Sequence, residues 1–525
     1  MNESPRPGGS LRGRAAALLC DPPYLALVLL MLAAFMATRI PFFWYSPRVD
    51  LSQDSQSYLD VADTMRSGHW PRFIFRTPGY PLLVWAVTSC VDRWIAVIVV
   101  QNLLSFASAL FLVHSVRRLR RSLALPAALA VCGFLGSPQV LVYDVSLLSD
   151  SLYTSVLILA AGSLVLAAAR ATPGSLALAS ALMALAILVR PAGAYFAVIY
   201  AAVLAYLLWN GAGRGRALGF AAPFPAILLA FCAYNYATIG QFVISPFAEA
   251  NLAGATALFW EPDPGLPPSV NKALEGLPES YERNGITRAD LELVRTSWDA
   301  GALFEVYAKA YNRLVWSAGW GSGTRFGPGD YLQNRRYIRE VSLTAIRRHP
   351  DLYAKYVWAN MVSFFGGIGY KFDFYDSMRY RSRGEPTADA RDFARGSASA
   401  GGGPAGEEAA APAGERLLRG LQHAWQCVHG AVYQSVLWSW AYAAMLGMSL
   451  ARLARSRGRH DGAFLLFMLS LMPLGASLVV CLVETATDRY SYPTQFICYL
   501  LVALSPLLFG PARYGLGEAP PHPLA

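Results

Sequence analysis

The sequence is poor in charged residues and contains almost no lysine. Charged side chains make up 15% of its 525 residues, whereas hydrophobic side chains make up 55%. So little charge excludes a single soluble domain and indicates a chain that crosses a membrane several times. The net charge of +10 comes almost entirely from arginines. These arginines cluster beside apolar runs, and that distribution argues against a nucleic-acid partner.

The sequence also lacks the usual cysteine and histidine motifs. The seven cysteines show no CxxC and no paired spacing, so neither a disulfide framework nor a zinc motif is indicated. Cys90 and Cys427 fall on the same predicted side of the membrane, which leaves a disulfide between them open. The histidines show no HExxH spacing. We therefore expect no cofactor and no metal ligands, with a divalent metal as an alternative that no motif indicates.

Long apolar runs predict the membrane spans. Ten runs of roughly 17–23 residues suit a hydrocarbon core of about 30 Å. They lie near residues 23–43, 94–116, 123–142, 147–169, 173–189, 191–210, 217–238, 431–451, 462–483 and 490–510. The first run is too long for a signal peptide and is interpreted as a retained anchor. The expected fold is an all-α polytopic membrane protein with about ten transmembrane helices, outer-face juxtamembrane helices and a large extracytoplasmic loop region.

Arginine placement predicts the orientation of these spans. Clusters at 117–121, 214–216 and 452–459 fall on one side of a ten-span arrangement. The positive-inside rule places that side, with both termini, in the cytoplasm, and the chain in an inner cell membrane. The first outer loop, residues 44–93, also carries five arginines, and five aspartates leave it neutral. We interpret this exception to the rule as a sign of function.

Three regions follow from this arrangement. Residues 1–238 form an N-terminal transmembrane module that includes the first outer loop. Residues 239–430 form an extracytoplasmic region, with an interfacial helix at 351–368 and a flexible low-complexity stretch at 393–414. Residues 431–525 contribute the C-terminal transmembrane helices and a cytoplasmic tail.

Acids and arginines from distant parts of the chain fall on the predicted outer face. They are Asp54, Tyr58 and Arg76 in or near the first loop's aromatic and proline elements, Asp150 at the start of the fourth span, Arg190 in an Arg-Pro turn, and Glu484, Arg489 and Tyr490 before the last span. Charges at membrane depth are costly unless they are paired or hydrated. Their gathering at one interface predicts a site built from several loops on a helical scaffold.

This arrangement resembles the GT-C glycosyltransferases, in particular the protein mannosyltransferases and lipid A aminoarabinose transferases of glycosyltransferase family 39. The shared elements are an acid and aromatic residues in the first loop, an acid at the start of an early span, an Arg-Pro turn and a terminal Glu…Arg-Tyr…Pro element. They cover about residues 25–370 and the final two spans. Members of this family take a sugar from a polyprenyl-phosphate carrier.

The resemblance implies a role for each candidate residue. Asp54 would be the general base, Arg76, Arg190 and Arg489 would bind the lipid phosphate of the donor, and Tyr58, Asp150, Glu484 and Tyr490 would line the substrate site. The implied partners are a polyprenyl-phosphate-linked sugar, an acceptor that is a glycan, a lipid or a protein, and the bilayer. Two departures argue against a protein acceptor: Asp54 is followed by Ser55 where the mannosyltransferases have adjacent acids, and no lectin-like domain is inserted.

The chemistry needs few groups. An acceptor hydroxyl loses a proton as it attacks the anomeric carbon, so a carboxylate has to lie within hydrogen-bond reach. The leaving group is a phosphate, which guanidinium groups neutralise. One carboxylate suffices for an inverting reaction, whereas a covalent sugar intermediate requires a second one close by.

The same residues also have structural interpretations, and the chain has competing functional ones. Asp54 and Asp150 stand where acids cap helices, Arg76 can extend to lipid headgroups, and Glu484 can pair with Arg489. The competing functions are a transporter or flippase for a lipid-linked or small substrate, a protein O-glycosyltransferase, and a receptor or assembly protein. The lack of an internal repeat and the grouping of charges at one surface favour an enzyme over a transporter.

Overall fold

The computed structural model describes residues 21–45, 49, 51, 53–326, 330–366, 437–483 and 488–510. These residues form helices joined by short turns and loops, and no β-strand occurs among them. The predicted all-α class is therefore confirmed. The low-complexity stretch at 393–414 lies outside the described residues, so its flexibility stays a prediction.

The N-terminal part of the chain contains helices α1 to α11. They are α1 (Pro22–Tyr45), α2 (Gln53–Arg66), α3 (Gly79–Cys90), α4 (Trp94–Leu119), α5 (Ala124–Leu135), α6 (Pro138–Val145), α7 (Ser149–Arg170), α8 (Pro173–Val189), α9 (Phe196–Trp209), α10 (Arg214–Ala221) and α11 (Pro223–Ile239).

The remaining helices form an intermediate unit and a C-terminal group. The intermediate unit contains α12 (Ala248–Thr256), α13 (Pro268–Glu275), α14 (Leu277–Arg283), α15 (Arg288–Thr296), α16 (Ala300–Ala310), α17 (Tyr331–Arg348) and α18 (Pro350–Gly366). The C-terminal group contains α19 (Leu437–Arg455), α20 (Asp461–Val483) and α21 (Asp488–Leu504).

Several of these helices are long and apolar enough to cross a membrane. Among the described residues there are 7 of them, or 8 if the bent pair α5 and α6 counts as one span. The pair bends by 65° at the break that precedes Pro138. Of the other predicted spans, α8 is a shorter apolar helix of 17 residues, and α19 is not among the candidates. The chain is thus a multi-pass membrane protein by the length and composition of its helices.

The core of the transmembrane part is built around α7. Small residues at its centre let neighbouring helices approach closely. A Cβ atom added at Gly162 would lie 2.9 Å from the Phe111 ring of α4, so the two helices touch there. The Ser105 and Ser155 hydroxyls of the same two helices are 3.3 Å apart. The order of these contacts shows that α4 and α7 run parallel, with their N-termini at the same end of the bundle.

The intermediate unit has a core of its own, which is rich in aromatic residues. Trp260 packs edge-on against Trp320 with ring centroids 6.0 Å apart. Its last helix, α18, also packs along the transmembrane part, because the Tyr353 hydroxyl donates to the Leu482 carbonyl at 2.6 Å and the Ser439 hydroxyl donates to the Phe365 carbonyl at 3.0 Å. The unit is therefore joined to the spans along the length of α18.

Candidate functional site

Asp54 and Arg76, the two main candidates from the sequence, form an ion pair with each other. Asp54 lies in the first turn of α2, where the helix dipole favours an acid. Its Oδ1 atom is 2.6 Å from a terminal nitrogen of Arg76, and the Nε atom of Arg76 donates to the Ser57 hydroxyl at 2.6 Å. The two side chains are 35% and 23% exposed. The pair is thus partly open to solvent and to incoming ligands.

Tyr58 joins this pair to the start of α7. Its ring lies under the Arg76 guanidinium, 4.5 Å from the Cζ atom, and its hydroxyl is 2.8 Å from the Ser149 hydroxyl. On the other side, the Tyr58 ring packs edge-on against Tyr80 at 4.9 Å between centroids. Burial, together with Tyr58 and Asp150, raises the pKa of the Tyr80 phenol well above its usual value. Tyr80 therefore stays protonated and donates to the Gln101 side-chain oxygen at 2.7 Å.

Asp150 and Arg190 form a second, more deeply buried ion pair. Asp150 follows Ser149 in the first turn of α7, and the N-cap position belongs to Leu148, so Asp150 is not the cap residue. Its side chain is fully buried and contacts the Arg190 guanidinium. Arg190 ends α8 in an extended conformation, with φ −154° and ψ 125°. The proline that follows disfavours helical geometry at this position, which explains why the sequence ends the helix here.

A tight contact places the first loop against the end of α8. The Thr77 hydroxyl donates to the Val189 carbonyl at 3.1 Å. A Cβ atom at Gly79 would lie 2.8 Å from the Val189 Cα atom and 2.9 Å from the Leu188 carbonyl oxygen. Only glycine leaves room for this approach. Because Arg76 is three residues before Gly79 and Arg190 directly follows Val189, this contact brings the two arginines to the same end of the bundle.

The remaining candidates belong to the last span. Glu484 lies outside the described residues. Arg489 and Tyr490 lie in the first turn of α21, with side chains outside the described set. Nearby, Tyr492 stacks on Tyr143 with centroids 4.5 Å apart, and the Thr154 hydroxyl donates to the Tyr492 hydroxyl at 3.2 Å. The start of α21 therefore lies beside the first turns of α7, while the roles of Glu484, Arg489 and Tyr490 stay predictions.

The sequence analysis missed one buried ion pair near this site. Arg39 of α1 and Asp144 of α6 are 2.6 Å apart, and each side chain is 1% exposed. A signal for Arg39 was present, because it is a single charged residue inside the first apolar run. Asp144 is not among the candidate residues predicted from the sequence. No local pattern connects the two residues, which are 105 positions apart.

The described side chains indicate neither a metal site nor a disulfide. Within the described ranges, no group of three or more His, Cys, Asp or Glu residues is placed to hold a metal ion. Cys90 is an exposed free thiol, and Cys427 lies outside the described residues. The predicted alternatives of a divalent metal and of a Cys90–Cys427 disulfide are therefore left as predictions.

Comparisons with known proteins give little further information. No family model matches the chain, and no curated protein matches it by sequence. The chain is similar to the crystal structure of an oligosaccharyltransferase from Archaeoglobus fulgidus in its apo form, with a TM-score of 0.37 and 13% identity. The similarity covers 92% of this chain but 50% of that one, so the chain spans about half the length of the solved structure it matches.

Proposed function

We propose that this protein is an inverting membrane glycosyltransferase. It transfers a sugar from a polyprenyl-phosphate carrier to a hydroxyl group of an extracytoplasmic glycan or lipid. The observation that carries this proposal is the Asp54–Arg76 pair. The pair is partly exposed, and Tyr58 links it to Ser149, the neighbour of Asp150. This arrangement offers a carboxylate and a guanidinium group at one place at the end of a membrane-spanning bundle.

The proposed reaction assigns one task to each partner of the pair. Asp54 accepts the proton of the acceptor hydroxyl while its oxygen attacks the anomeric carbon. The bond between that carbon and the phosphate oxygen breaks, and the glycosidic bond forms on the opposite face of the sugar. Arg76 neutralises the charge that develops on the departing lipid phosphate. The products are the glycosylated acceptor, the polyprenyl phosphate and a protonated Asp54.

The pairing of Asp54 with Arg76 suggests how donor binding prepares the base. Without donor, the two side chains neutralise each other at 2.6 Å. A donor phosphate presents Arg76 with a second anion, to which a guanidinium group binds in a bidentate way. Arg76 then turns from the carboxylate to the phosphate, and Asp54 is left to accept a proton. In this scheme, Arg190 and Arg489 donate hydrogen bonds to the donor phosphate, and Asp150 holds Arg190 in place.

One observation favours the competing function of a transporter. The pair α5 and α6 is a broken span, and broken helices often line transport sites near the middle of the bilayer. The buried charges Arg39 and Asp144 lie beside this break, and Arg39 is in the last turn of the span Pro22–Ile40. They are therefore closer to the end of the bundle that holds Asp54 than to its middle, and an enzyme explains them better.

The central test is sugar transfer by the purified protein from labelled polyprenyl-phosphate sugars. Replacement Asp54→Asn should lower the rate by at least about a hundredfold, because a general base is lost. Asp60→Asn is the matched control: it lies on the same helix, is exposed and accepts a hydrogen bond from Gln56. That control should transfer at the normal rate. Normal turnover by Asp54→Asn would remove Asp54 from the mechanism.

The role of Arg76 is tested by the dependence of the rate on donor concentration. Arg76→Ala should raise the donor KM and lower kcat. Arg76→Lys should keep part of the activity, because lysine supplies a positive charge but cannot bind phosphate in a bidentate way. Identical donor kinetics in Arg76→Ala and the parent protein would contradict phosphate binding by this residue. Transfer without release of polyprenyl phosphate would contradict the reaction itself.

The outward orientation of the site is tested by labelling single cysteines in intact cells. In a background without native cysteines, a cysteine at the exposed position of Asp60 should react only with reagent outside the cytoplasm. A cysteine at the exposed position of Arg118 should react only from the cytoplasm. Labelling of both positions from the same side would exclude this orientation.

A further inference from the structure

The Arg39–Asp144 pair is surrounded by hydrogen bonds that reach several helices. Arg39 donates to the Leu135 carbonyl at 2.5 Å and to the Asn102 side-chain oxygen at 3.4 Å. Asp144 accepts from the Ser105 hydroxyl at 3.0 Å and, through the same oxygen, from the Ser151 hydroxyl at 2.6 Å. A buried ion pair is compensated for its lost hydration only when its remaining polar atoms are satisfied in this way.

Arg39 contacts both halves of the broken span. Leu135 is the last residue of α5, and its carbonyl is one of those that a helix C-terminus leaves without an intrahelical partner. Asp144 is in the last turn of α6, on the other side of the 65° bend. One guanidinium group therefore bridges the two half-helices. This bridge fixes the angle between α5 and α6, the helix that directly precedes α7.

From Asp144, the same network continues into the connection that carries the site. The Ser151 hydroxyl belongs to the first turn of α7, one residue after Asp150. The Gln101 amide donates to the Asp144 carbonyl at 3.4 Å and to the Ser146 carbonyl at 3.1 Å. Asp144 is thereby held both by its side chain and by its backbone. A movement of this residue would displace the first turn of α7.

We propose that Arg39 and Asp144 are positioning residues, which fix the α6–α7 connection and so hold Ser149 and Asp150 in register with Tyr58 and Arg190. This inference rests on the proposed function for its kinetic consequence. It does not rest on that function for its structural one, because the position of the connection can be measured without a substrate. Neither residue is assigned contact with donor or acceptor.

A paired neutral replacement is the appropriate variant. A single replacement would leave a buried charge without its partner and would endanger folding, whereas Arg39→Gln combined with Asp144→Asn removes both charges and keeps hydrogen-bonding groups. Ser151→Ala is a second, milder variant that removes one hydrogen bond to Asp144. A cysteine at the buried position of Leu148 reports on the connection, in a background without native cysteines.

The first measurement is the rate at which a small maleimide modifies the reporter cysteine. The double variant should increase this rate on the order of tenfold, because local opening of the connection exposes the thiol, and Ser151→Ala should increase it less. Tyr206→Phe is the control: it removes a buried hydrogen bond of 2.6 Å to Asp461, which lies at the start of another helix. General loosening of the bundle would accelerate labelling in this control too, and that result would overturn the proposal.

The second measurement separates kcat from the donor KM in sugar transfer. A small displacement of aligned groups can lower a rate by up to about a hundredfold. The double variant should therefore lose about 10- to 100-fold in kcat while the donor KM changes by less than about threefold. Unchanged labelling would overturn the proposal whatever happens to kcat. Faster labelling in a protein that transfers no sugar from any donor would support the positioning role and contradict the proposed function.

Discussion

The two ends of the transmembrane bundle carry similar residues in opposite arrangements. At the end where α7 begins, acids and arginines form pairs, and Asp150 with Arg190 and Asp144 with Arg39 are buried. At the end where α7 finishes, about 30 Å away along a helix of this length, exposed arginines dominate. Arg117 and Arg121 share the single acid Asp21, and the Arg121 side chain is 81% exposed.

This difference teaches that pairing, and not the number of arginines, identifies the candidate site. An excess of exposed arginines orients a membrane protein with respect to the cytoplasm. A buried pair contributes no net charge to that orientation and is expensive to maintain, so it is expected where a defined geometry matters. Of the five arginines of residues 44–93, Arg76 belongs to a partly buried pair, because it contacts Asp54.

The largest expected effect comes from removing a buried partner at the site end. Arg190→Ala leaves the fully buried Asp150 without its charged partner, and we expect a loss of about 3–5 kcal/mol in the free energy of unfolding. Arg121→Ala at the other end removes an exposed arginine and should cause no measurable change. Thermal unfolding of the two variants in the same detergent gives the comparison directly. Equal losses would show that pairing does not distinguish the two ends.

Smaller effects on stability are expected when glycines with different amounts of free space around them are replaced by alanine. Gly79→Ala would push a methyl group against the Val189 backbone, and overpacking of this kind costs about 1–3 kcal/mol. Gly215 of α10, between Arg214 and Arg216, has no atom within 4 Å of the added Cβ. Gly215→Ala should therefore stabilise the protein by up to about 1 kcal/mol through helix propensity. A destabilising Gly215→Ala would contradict the open surroundings described for this end.

The smallest effects are expected for buried tyrosine hydroxyls. The Tyr153 and Tyr195 hydroxyls face each other without a well-formed hydrogen bond, whereas the Tyr80 hydroxyl donates to Gln101. Tyr153→Phe and Tyr195→Phe should leave the unfolding temperature unchanged or slightly higher. Tyr80→Phe should destabilise the protein by about 1 kcal/mol, because an acceptor loses its donor. If Tyr153→Phe is the more destabilising variant, the Tyr153 hydroxyl makes a strong hydrogen bond after all, either with Tyr195 or with a bound water molecule.

The sequence predicted the fold class, and it indicated several of the residues that lie together where α7 begins, because those features have local patterns. Apolar runs indicated the spans, and Thr287 and Asp290 have the spacing of the capping box that starts α15. Asp150 and Arg190 stand beside helix ends, and the neighbouring serine and proline residues indicate these ends in the sequence. What the sequence did not predict were the pairings. Asp54 and Arg76 were assigned separate tasks, although they contact each other, and Arg39 was not considered at all.

These omissions have a common physical reason. The partner of each charge is fixed by the packing of helices that are distant in sequence, and the first apolar run contains nothing that points to Asp144. The span count shows the same effect. The break before Pro138 divides one predicted span into two half-helices, and α8 is 17 residues long between its proline start and its Arg-Pro end. Tertiary contacts, such as the hydrogen bond from Arg39 to the Leu135 carbonyl, determine the positions of these short helices.

The salt bridge between Asp54 and Arg76 has a consequence for the order of substrate addition. Under the proposed reaction, the carboxylate is occupied until a phosphate draws the guanidinium away, so an acceptor that arrives first finds no base. The kinetic mechanism is then sequential and ordered, with the lipid-linked donor as leading substrate. A dead-end acceptor analogue is consequently an uncompetitive inhibitor against the donor, since it binds only the enzyme–donor complex.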